Sequence, residues 1–291
     1  MNYTKLINNH RLVSIALYSL TFVILYGCSD AGEIQQLPGR NYELVWSDEF
    51  DGTAKTLPDP AKWMLELGNN NGWGNNEYQI YTNKPENVSV DGKSNLAITA
   101  TKVPTTPYTT YYSGRIITKG LFMQTYGRFE ARIKLPYGPG IWPAFWVLGA
   151  NKDSLDADNN PIGWPQCGEI DIMELNGSKA NIINGTVHGP GYSGGMSITK
   201  GFGLVNGRYD TDFHLFAIEW GKNYIDFFVD NTLYQRITPA NVTGKWVFND
   251  HPFYILLNLA VGGNYVTGPT DQTVFPQTML VDYVRVYQEI E

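Results

Sequence analysis

The run F-Y-I-L-L-N-L-A-V at 253–261 contains a single polar side chain, Asn258. An apolar run this continuous, bounded by turn residues, reads as a strand buried on both faces. Segment 128–135 has another rhythm: Phe129, Ala131, Ile133 and Leu135 alternate with Arg128, Glu130, Arg132 and Lys134. That is the two-residue period of a half-exposed strand. Tyr224 to Asp230, followed by Asn231, reads as a strand entering a turn, and Leu280 to Tyr287 as a closing strand. Clusters of Gly, Asn, Pro and Asp separate these segments. No long 3.6-residue period follows the N-terminal region. The chain is therefore expected to be all-β, a sandwich or jelly roll. Asn151–Pro165 and Thr101–Ser113 read as long loops, of the kind that rims a binding site.

Composition narrows the function. Hydrophobic residues make up 43% of 291, enough for one large domain with a sizeable core. Aromatic residues reach 14%, with 8 Trp and 19 Tyr, against only 17% charged residues. A surplus of rings over charges suits a protein that binds sugar faces. The net charge is −7 and no basic run follows the first turns of the chain. A surface that tracks nucleic-acid phosphates is excluded on that basis.

Lys5 and Arg11 precede an apolar run from Leu12 to Tyr26, which ends at Leu25-Tyr26-Gly27-Cys28. A short basic region, a short apolar stretch and a small residue describe an export signal. Cys28 after Gly27 resembles a bacterial lipoprotein box; a plain secretion signal and an uncleaved anchor are the alternatives. The expected organisation is a signal peptide at 1–27, a lipidated tether at 28–40 and a catalytic domain at 41–291. Membrane contact would come only through lipid on Cys28, at a bacterial outer membrane or cell surface, and the protein is expected to be a monomer. Cys167 is then the one remaining thiol, which leaves no intrachain disulfide and suits a buried small residue.

The stretch G-E-I-D-I-M-E-L-N-G at 168–177 carries three acids. Glu169 and Asp171 keep strand period and share a face, whereas Glu174 is one residue late. A β-bulge with Met173 as the extra residue would return Glu174 to that face. Three carboxylates on one face raise one another's pKa, which is unfavourable without a purpose. Retaining glycoside hydrolysis supplies one, since it needs a nucleophilic carboxylate and a carboxylic acid about 5–5.5 Å apart. With a bulge the two Glu backbones stand roughly 13 Å apart, a gap that converging side chains can largely close. An exposed strand with acids on its wet side is the bland alternative. A metal site with His188 as a further ligand is a third.

These residues lie within a longer resemblance. With G-R-F-E-A-R-I-K-L-P-Y-G-P-G-I-W-P-A-F-W-V-L-G (127–149) upstream, the acid stretch resembles glycoside hydrolase family 16, in particular its bacterial laminarinase-type members. W-S-D-E-F-D-G (46–52), N-G-W-G-N-N-E-Y-Q-I-Y-T (71–82), G-T-V-H-G-P-G-Y-S-G (185–194), F-H-L-F-A-I-E-W (213–220), L-N-L-A-V-G-G (257–263) and V-D-Y-V-R-V-Y (281–287) fit the same pattern. The resemblance covers about residues 42–288. It implies a β-jelly roll of two antiparallel sheets with an open concave substrate cleft. It implies Glu169 as nucleophile, Glu174 as general acid/base and Asp171 as an assistant. It implies endo-hydrolysis of β-1,3-glucan, of mixed-linkage β-1,3/1,4-glucan, or in other branches of algal galactans. A non-catalytic glucan-binding lipoprotein on the same fold is the rival from another class.

The same resemblance implies Trp142 as the floor beside the nucleophile. Trp146 falls in step with Trp142, Arg115 offers a fork of donors for sugar hydroxyls, and His188 and Asn258 join the cleft. Asn258 would need partners for its buried amide, which a sugar or water could supply. Trp73 reads as a platform or a lid, while Trp46, Trp63, Trp220 and Trp246 read as core. After A-V-G-G the chain departs from the usual Trp-Pro with Asn264-Tyr265-Val266-Thr267, which leaves mixed-linkage preference open. No cofactor is expected for catalysis. The resemblance also implies a structural calcium away from the cleft, on the backbone carbonyls of Glu49 and Gly92 and on Asp282.

Overall fold

The computed structural model describes residues 40–105, 109–230 and 232–290. Cys28 and the whole signal and tether segment lie outside the described residues, apart from Arg40. Seven strands form one sheet: β2 (Met64–Leu65), β7 (Arg115–Ile117), β9 (Ile141–Gly149), β10 (Glu169–Leu175), β11 (Ile182–His188), β12 (Ile198–Gly203) and β16 (Phe253–Val261). Their spatial order is β12-β11-β10-β9-β16-β7-β2, with antiparallel neighbours throughout.

The ten-stranded sheet holds β1 (Asn41–Asp48), β3 (Gln79–Tyr81), β4 (Val88–Val90), β5 (Leu96–Pro104), β6 (Thr109–Ser113), β8 (Gly127–Lys134), β13 (His214–Gly221), β14 (Tyr224–Val229), β15 (Thr232–Ile237) and β17 (Gln277–Ile290). One pairing in it, β3 with β6, is parallel. The two sheets stack, and their facing side chains form one core that includes Phe129, Phe145, Ile170, Ile218, Ile255 and Val284. This is the two-sheet jelly roll that the short, evenly punctuated strands lead one to expect.

β16 is buried at every position, as its unbroken apolar run requires. Phe253, Ile255, Leu257, Leu259 and Val261 enter the core. Its other face meets two smaller apolar clusters: Tyr254 and Leu256 pack with Leu148 and Cys167, and Ala260 packs with Trp142 and Val266. These clusters wall off the open face of the seven-stranded sheet at two places and leave its polar groups between them.

Two expectations fail for clear reasons. β8 is half-exposed only at Arg132 and Lys134, because its outward Arg128 and Glu130 are buried in an ion cluster. Arg128 Nε donates to Glu130 Oε2 at 2.8 Å and its Nη1 to Glu219 Oε1 at 3.1 Å, and Tyr287 Oη donates to Glu130 Oε1 at 3.2 Å. Paired and hydrogen-bonded, these charges tolerate exposures of 0–1%. Thr101–Ser113 is not a loop but the paired arms of β5 and β6, in register from Thr101 opposite Tyr112 to Pro104 opposite Thr109. Asn151–Pro165 is irregular as expected, with one isolated bridge between Leu155 and Pro161.

Candidate active site

The out-of-step acid is explained by a bulge. Against β11, Asp171 pairs with Thr186 and Glu174 with Asn184, so Ile172 and Met173 together face Gly185. Against β9, Asp171 pairs with Trp146 and Met173 with Phe145, which makes Ile172 the unpaired residue rather than Met173. Both are buried in the core, at 1% and 0% exposure. Glu169, Asp171 and Glu174 therefore share the open face, as the bulge predicts. Gly168 (φ +77°) admits the strand here; a Cβ on it would stand 2.9 Å from the Phe253 ring.

The acids occupy cross-strand rows. Glu174 lies opposite Ala144, which lies opposite Asn258, which lies opposite Arg115. Asp171 is opposite Trp146, and Glu169 is opposite both Leu148 and His188. These rows hold Glu169, Asp171, Glu174, Trp146, His188, Asn258 and Arg115, though not always in the expected role.

Each outer acid has its own indole donor. Trp142 Nε1 donates to Glu174 Oε1 at 3.0 Å, and Trp164 Nε1 donates to Glu169 Oε2 at 3.1 Å. Trp142 was expected beside Glu169; it serves Glu174 instead, is only 9% exposed and lies 5.1 Å from the Tyr265 ring. Its position at the far end of β9 from Glu169 gives the reason, because Glu174 is the acid at that end. Trp164, at the end of the 151–165 loop, is 45% exposed and lies 5.7 Å from the His188 ring. It is the aromatic residue of the site that the sequence reading did not single out.

His188 faces the other side of the acids. Its Nδ1 accepts the Gly194 N–H at 3.1 Å, so its proton sits on Nε2. Nε2 lies 3.2 Å from Asp171 Oδ2 and 3.6 Å from Glu169 Oε1. Asp171 Oδ2 is buried and its contact with Nε2 falls short of good hydrogen-bond angles. Ligand atoms of Glu169, Asp171 and His188 lie within 4.8 Å of one another, the spacing of a metal site. The protonated Nε2 argues against that use. Freeing it for a cation would move the proton to Nδ1, against the Gly194 N–H.

Burial dominates the electrostatics. It pushes Glu174 up to about 8, aided by the Asp171 charge and opposed by His188 and the Trp142 N–H. Burial also pushes Asp171 to about 8, opposed by a hydrogen bond shared with Glu169. Glu169 is held well above the usual carboxyl range by burial and then by Asp171. Three coupled acids thus keep protons among them at neutral pH.

The remaining expected residues are tied into a polar chain. Asn258 Oδ1 accepts from Trp146 Nε1 at 2.7 Å, and its Nδ2 donates to Tyr81 Oη at 3.2 Å. Its amide is satisfied by the protein itself, not by a sugar. Tyr81 Oη lies 3.3 Å from Glu77 Oε2, which also accepts from Gln79 Nε2 at 2.6 Å. Arg115 stands between two indoles, 4.5 Å from Trp73 and 5.1 Å from Trp146, with its Nε on Glu66. Trp73 is thus a cover for Arg115, and the Arg115 fork is open only at its Nη atoms. Glu77 was not anticipated as a site residue; its signal was its place in N-N-E-Y beside the aromatic stretch.

Glu49 grips Arg285 through both oxygens at 3.0 and 2.8 Å, and Asp282 Oδ2 accepts from Arg132 at 2.6 Å. Gly92, in a turn with φ +76°, could offer only its carbonyl. The Asp282 charge is matched by Arg132, whereas the pairing of Glu49 with Arg285 involves its side chain and not the backbone carbonyl expected to bind.

Comparison with known proteins agrees with this architecture. A profile of the family described as Glycosyl hydrolases family 16 matches residues 75–285. The chain is 40% identical over 278 residues to a beta-glucanase of Rhodothermus marinus, covering 92% of this chain and 93% of that protein. It is 43% identical to the laminarinase catalytic domain of Thermotoga maritima MSB8, with a TM-score of 0.77 over 86% of this chain and 100% of that one. An endo-beta-1,3-glucanase from Pyrococcus furiosus is 41% identical, with a TM-score of 0.79 over 88% and 98%. Acids, bulge, sheet order and these matches together place the chain in glycoside hydrolase family 16.

Proposed function

We propose that this chain is an endo-1,3(4)-β-glucanase that works with retention of configuration. The observation that carries the chemistry is the bulged strand β10, with Glu169 and Glu174 on one face and a separate indole donor on each. Glu169 as an anion attacks the anomeric carbon while the glycosidic C–O bond breaks. Glu174, kept protonated by its buried setting, gives its proton to the leaving oxygen. In the second half Glu174 takes a proton from water, whose oxygen displaces Glu169 from the sugar. The hydrogen bond between Asp171 and Glu169 lets the pair hold one proton between them. The Trp164 N–H and the neighbouring His188 favour the Glu169 anion against burial and the Asp171 charge, so that Glu169 is charged when it attacks.

The test is the anomeric form of the first product, followed by proton NMR on a soluble β-1,3-glucan and on a mixed-linkage β-1,3/1,4-glucan. Retention supports double displacement; inversion in the wild type removes it. Glu174→Ala should keep activity on an activated aryl glycoside and be rescued by azide with retention. Glu169→Ala should yield an inverted azide adduct. The glucan-binding alternative predicts no reducing-sugar release at all, and the galactanase alternative predicts release from agarose only.

The Leu25–Cys28 box supports a lipid anchor on Cys28 at a bacterial envelope. Cys28→Ala should shift the protein to the soluble fraction, and continued membrane partition would remove the anchor. A calcium ion on the Glu49 and Gly92 carbonyls and on Asp282 would be structural, and at Asp282 it must compete with Arg132. A melting temperature that falls on chelation is its test.

A further inference from the structure

Tyr78 lies flat on glycine backbone. A Cβ on Gly262 would stand 2.7 Å from its Cδ2, and one on Gly268 would stand 3.0 Å from its Cε2. One ring face is thereby seated on the 262–268 loop, while the residue as a whole is 52% exposed. Tyr111 follows at 6.5 Å between ring centroids with a tilt of 34°, and Phe275 lies 5.4 Å beyond with a tilt of 38°. Tyr111 and Phe275 rest partly on the core, which fixes the row from beneath. Val274, next to Phe275, is 64% exposed and extends the apolar surface.

This row is not part of the cleft floor. Glu77 and Gln79 are buried in the polar chain that reaches Asn258, so Tyr78 between them points the other way. It is nonetheless continuous with the cleft rim. Tyr78 N donates to Val261 O at 2.8 Å, and Asn264 N donates to Asn75 O at 2.8 Å. The segment that carries Tyr78 on one side carries cleft groups on its other side.

We propose that Tyr78, Tyr111 and Phe275 form an auxiliary platform for a β-glucan chain, outside the catalytic cleft and continuous with its rim. The choice of polysaccharide rests on the glucanase reading above. The apolar C–H faces of pyranose rings stack on aromatic faces. A ring already held flat on glycines loses little freedom when a sugar covers it. Successive tilts of 34° and 38° suit a chain that turns at each linkage rather than a flat ribbon.

The test compares wild type, Tyr78→Ser, Tyr78→Ala/Tyr111→Ala and a control, Val205→Ala, whose side chain is 94% exposed in the turn after β12. Binding to insoluble β-1,3-glucan particles is measured in the cold by depletion from solution, beside the hydrolysis rate on a short β-1,3-glucan oligosaccharide. Removing one stacking ring should weaken particle binding about 3- to 10-fold, while oligosaccharide hydrolysis stays within about twofold. Tyr78→Ser removes only the exposed ring and covers the case in which the double variant fails to fold. Particle binding equal to wild type in Tyr78→Ser overturns the platform. So does an equal loss on the oligosaccharide, which would assign the ring to the cleft. The glucanase reading is checked in the wild type alone, so its failure appears in a different sample from the platform's.

Discussion

The amide of Gly194 fixes the tautomer of His188. It donates to Nδ1 at 3.1 Å, and the proton must then sit on Nε2, 3.2 Å from Asp171 and 3.6 Å from Glu169. His188 is thereby a fixed donor toward the acids. We expect no stoichiometric zinc binding by calorimetry and no loss of rate after exhaustive chelation. His188→Gln, which keeps an amide donor, should retain more activity than His188→Leu. A tight zinc site that His188→Leu abolishes would show that the ring turns to offer Nε2 as a ligand.

Stability should depend on pH through the same acids. Folding raises the Glu174 carboxyl from its ordinary range to about 8. Its proton is therefore held more tightly in the folded state, and stability is lost as pH rises from about 4 to about 8, then levels off. Glu174→Gln removes its share of this dependence and leaves those of Asp171 and Glu169. Its melting temperature should match wild type near pH 4 and exceed it near pH 8–9 by roughly 4–12 °C, for a release of about 2–3 kcal/mol at about 2–4 °C per kcal/mol. Differential scanning calorimetry across that range is the check. A constant offset at all pH values would mean that Glu174 is not raised by folding.

The Asn258 amide ties Trp146 to Tyr81 in the middle of a buried strand. Asn258→Leu keeps the volume but leaves the Trp146 N–H and the Tyr81 hydroxyl each short of one partner. We expect a loss of about 2–4 kcal/mol by denaturant titration, since each unpaired buried group costs about 1–3 kcal/mol. Tyr81→Phe should cost less, because Asn258 keeps Trp146. Equal losses would show that Tyr81, not Asn258, anchors the chain of bonds.

These contacts mark where sequence reasoning runs out. The bulge was legible because Glu169, Asp171 and Glu174 break strand period by one residue, and period is a local property. Which residue takes no partner was not legible: that depends on Phe145 of β9, which pairs with Met173 and leaves Ile172 out. Arg128 and Glu130 looked wet because alternation reports a second face and not what covers it. Their partners Glu219 and Tyr287 arrive from 91 and 157 residues along the chain. Trp164 was hidden in a loop, where no period says which way a ring points. Asn258 was recognised as a buried amide, but its partners needed the register of three strands.

The two indole donors give the sharpest test of the assigned roles. Trp164 donates to Glu169 and Trp142 to Glu174, at 3.1 and 3.0 Å. An N–H aimed at a carboxylate favours its charged form, so replacing either indole by phenyl should raise the pKa of the acid it serves. The consequences for rate are opposite. Glu169 must be ionised to attack, so Trp164→Phe should move the acid limb of kcat/KM upward and narrow the active range. Glu174 must be protonated to donate, so Trp142→Phe should move the alkaline limb upward and widen it. A hydrogen bond to a charged group contributes about 1.5–3 kcal/mol, and 1.36 kcal/mol corresponds to one pKa unit. Coupling among the three acids spreads the effect, so a displacement of about one pH unit is expected for each limb. The pH profile of kcat/KM on a soluble β-1,3-glucan reads both. Should Trp164→Phe move the alkaline limb and Trp142→Phe the acid limb, Glu174 is the nucleophile and Glu169 the acid, and the proposed assignment is reversed.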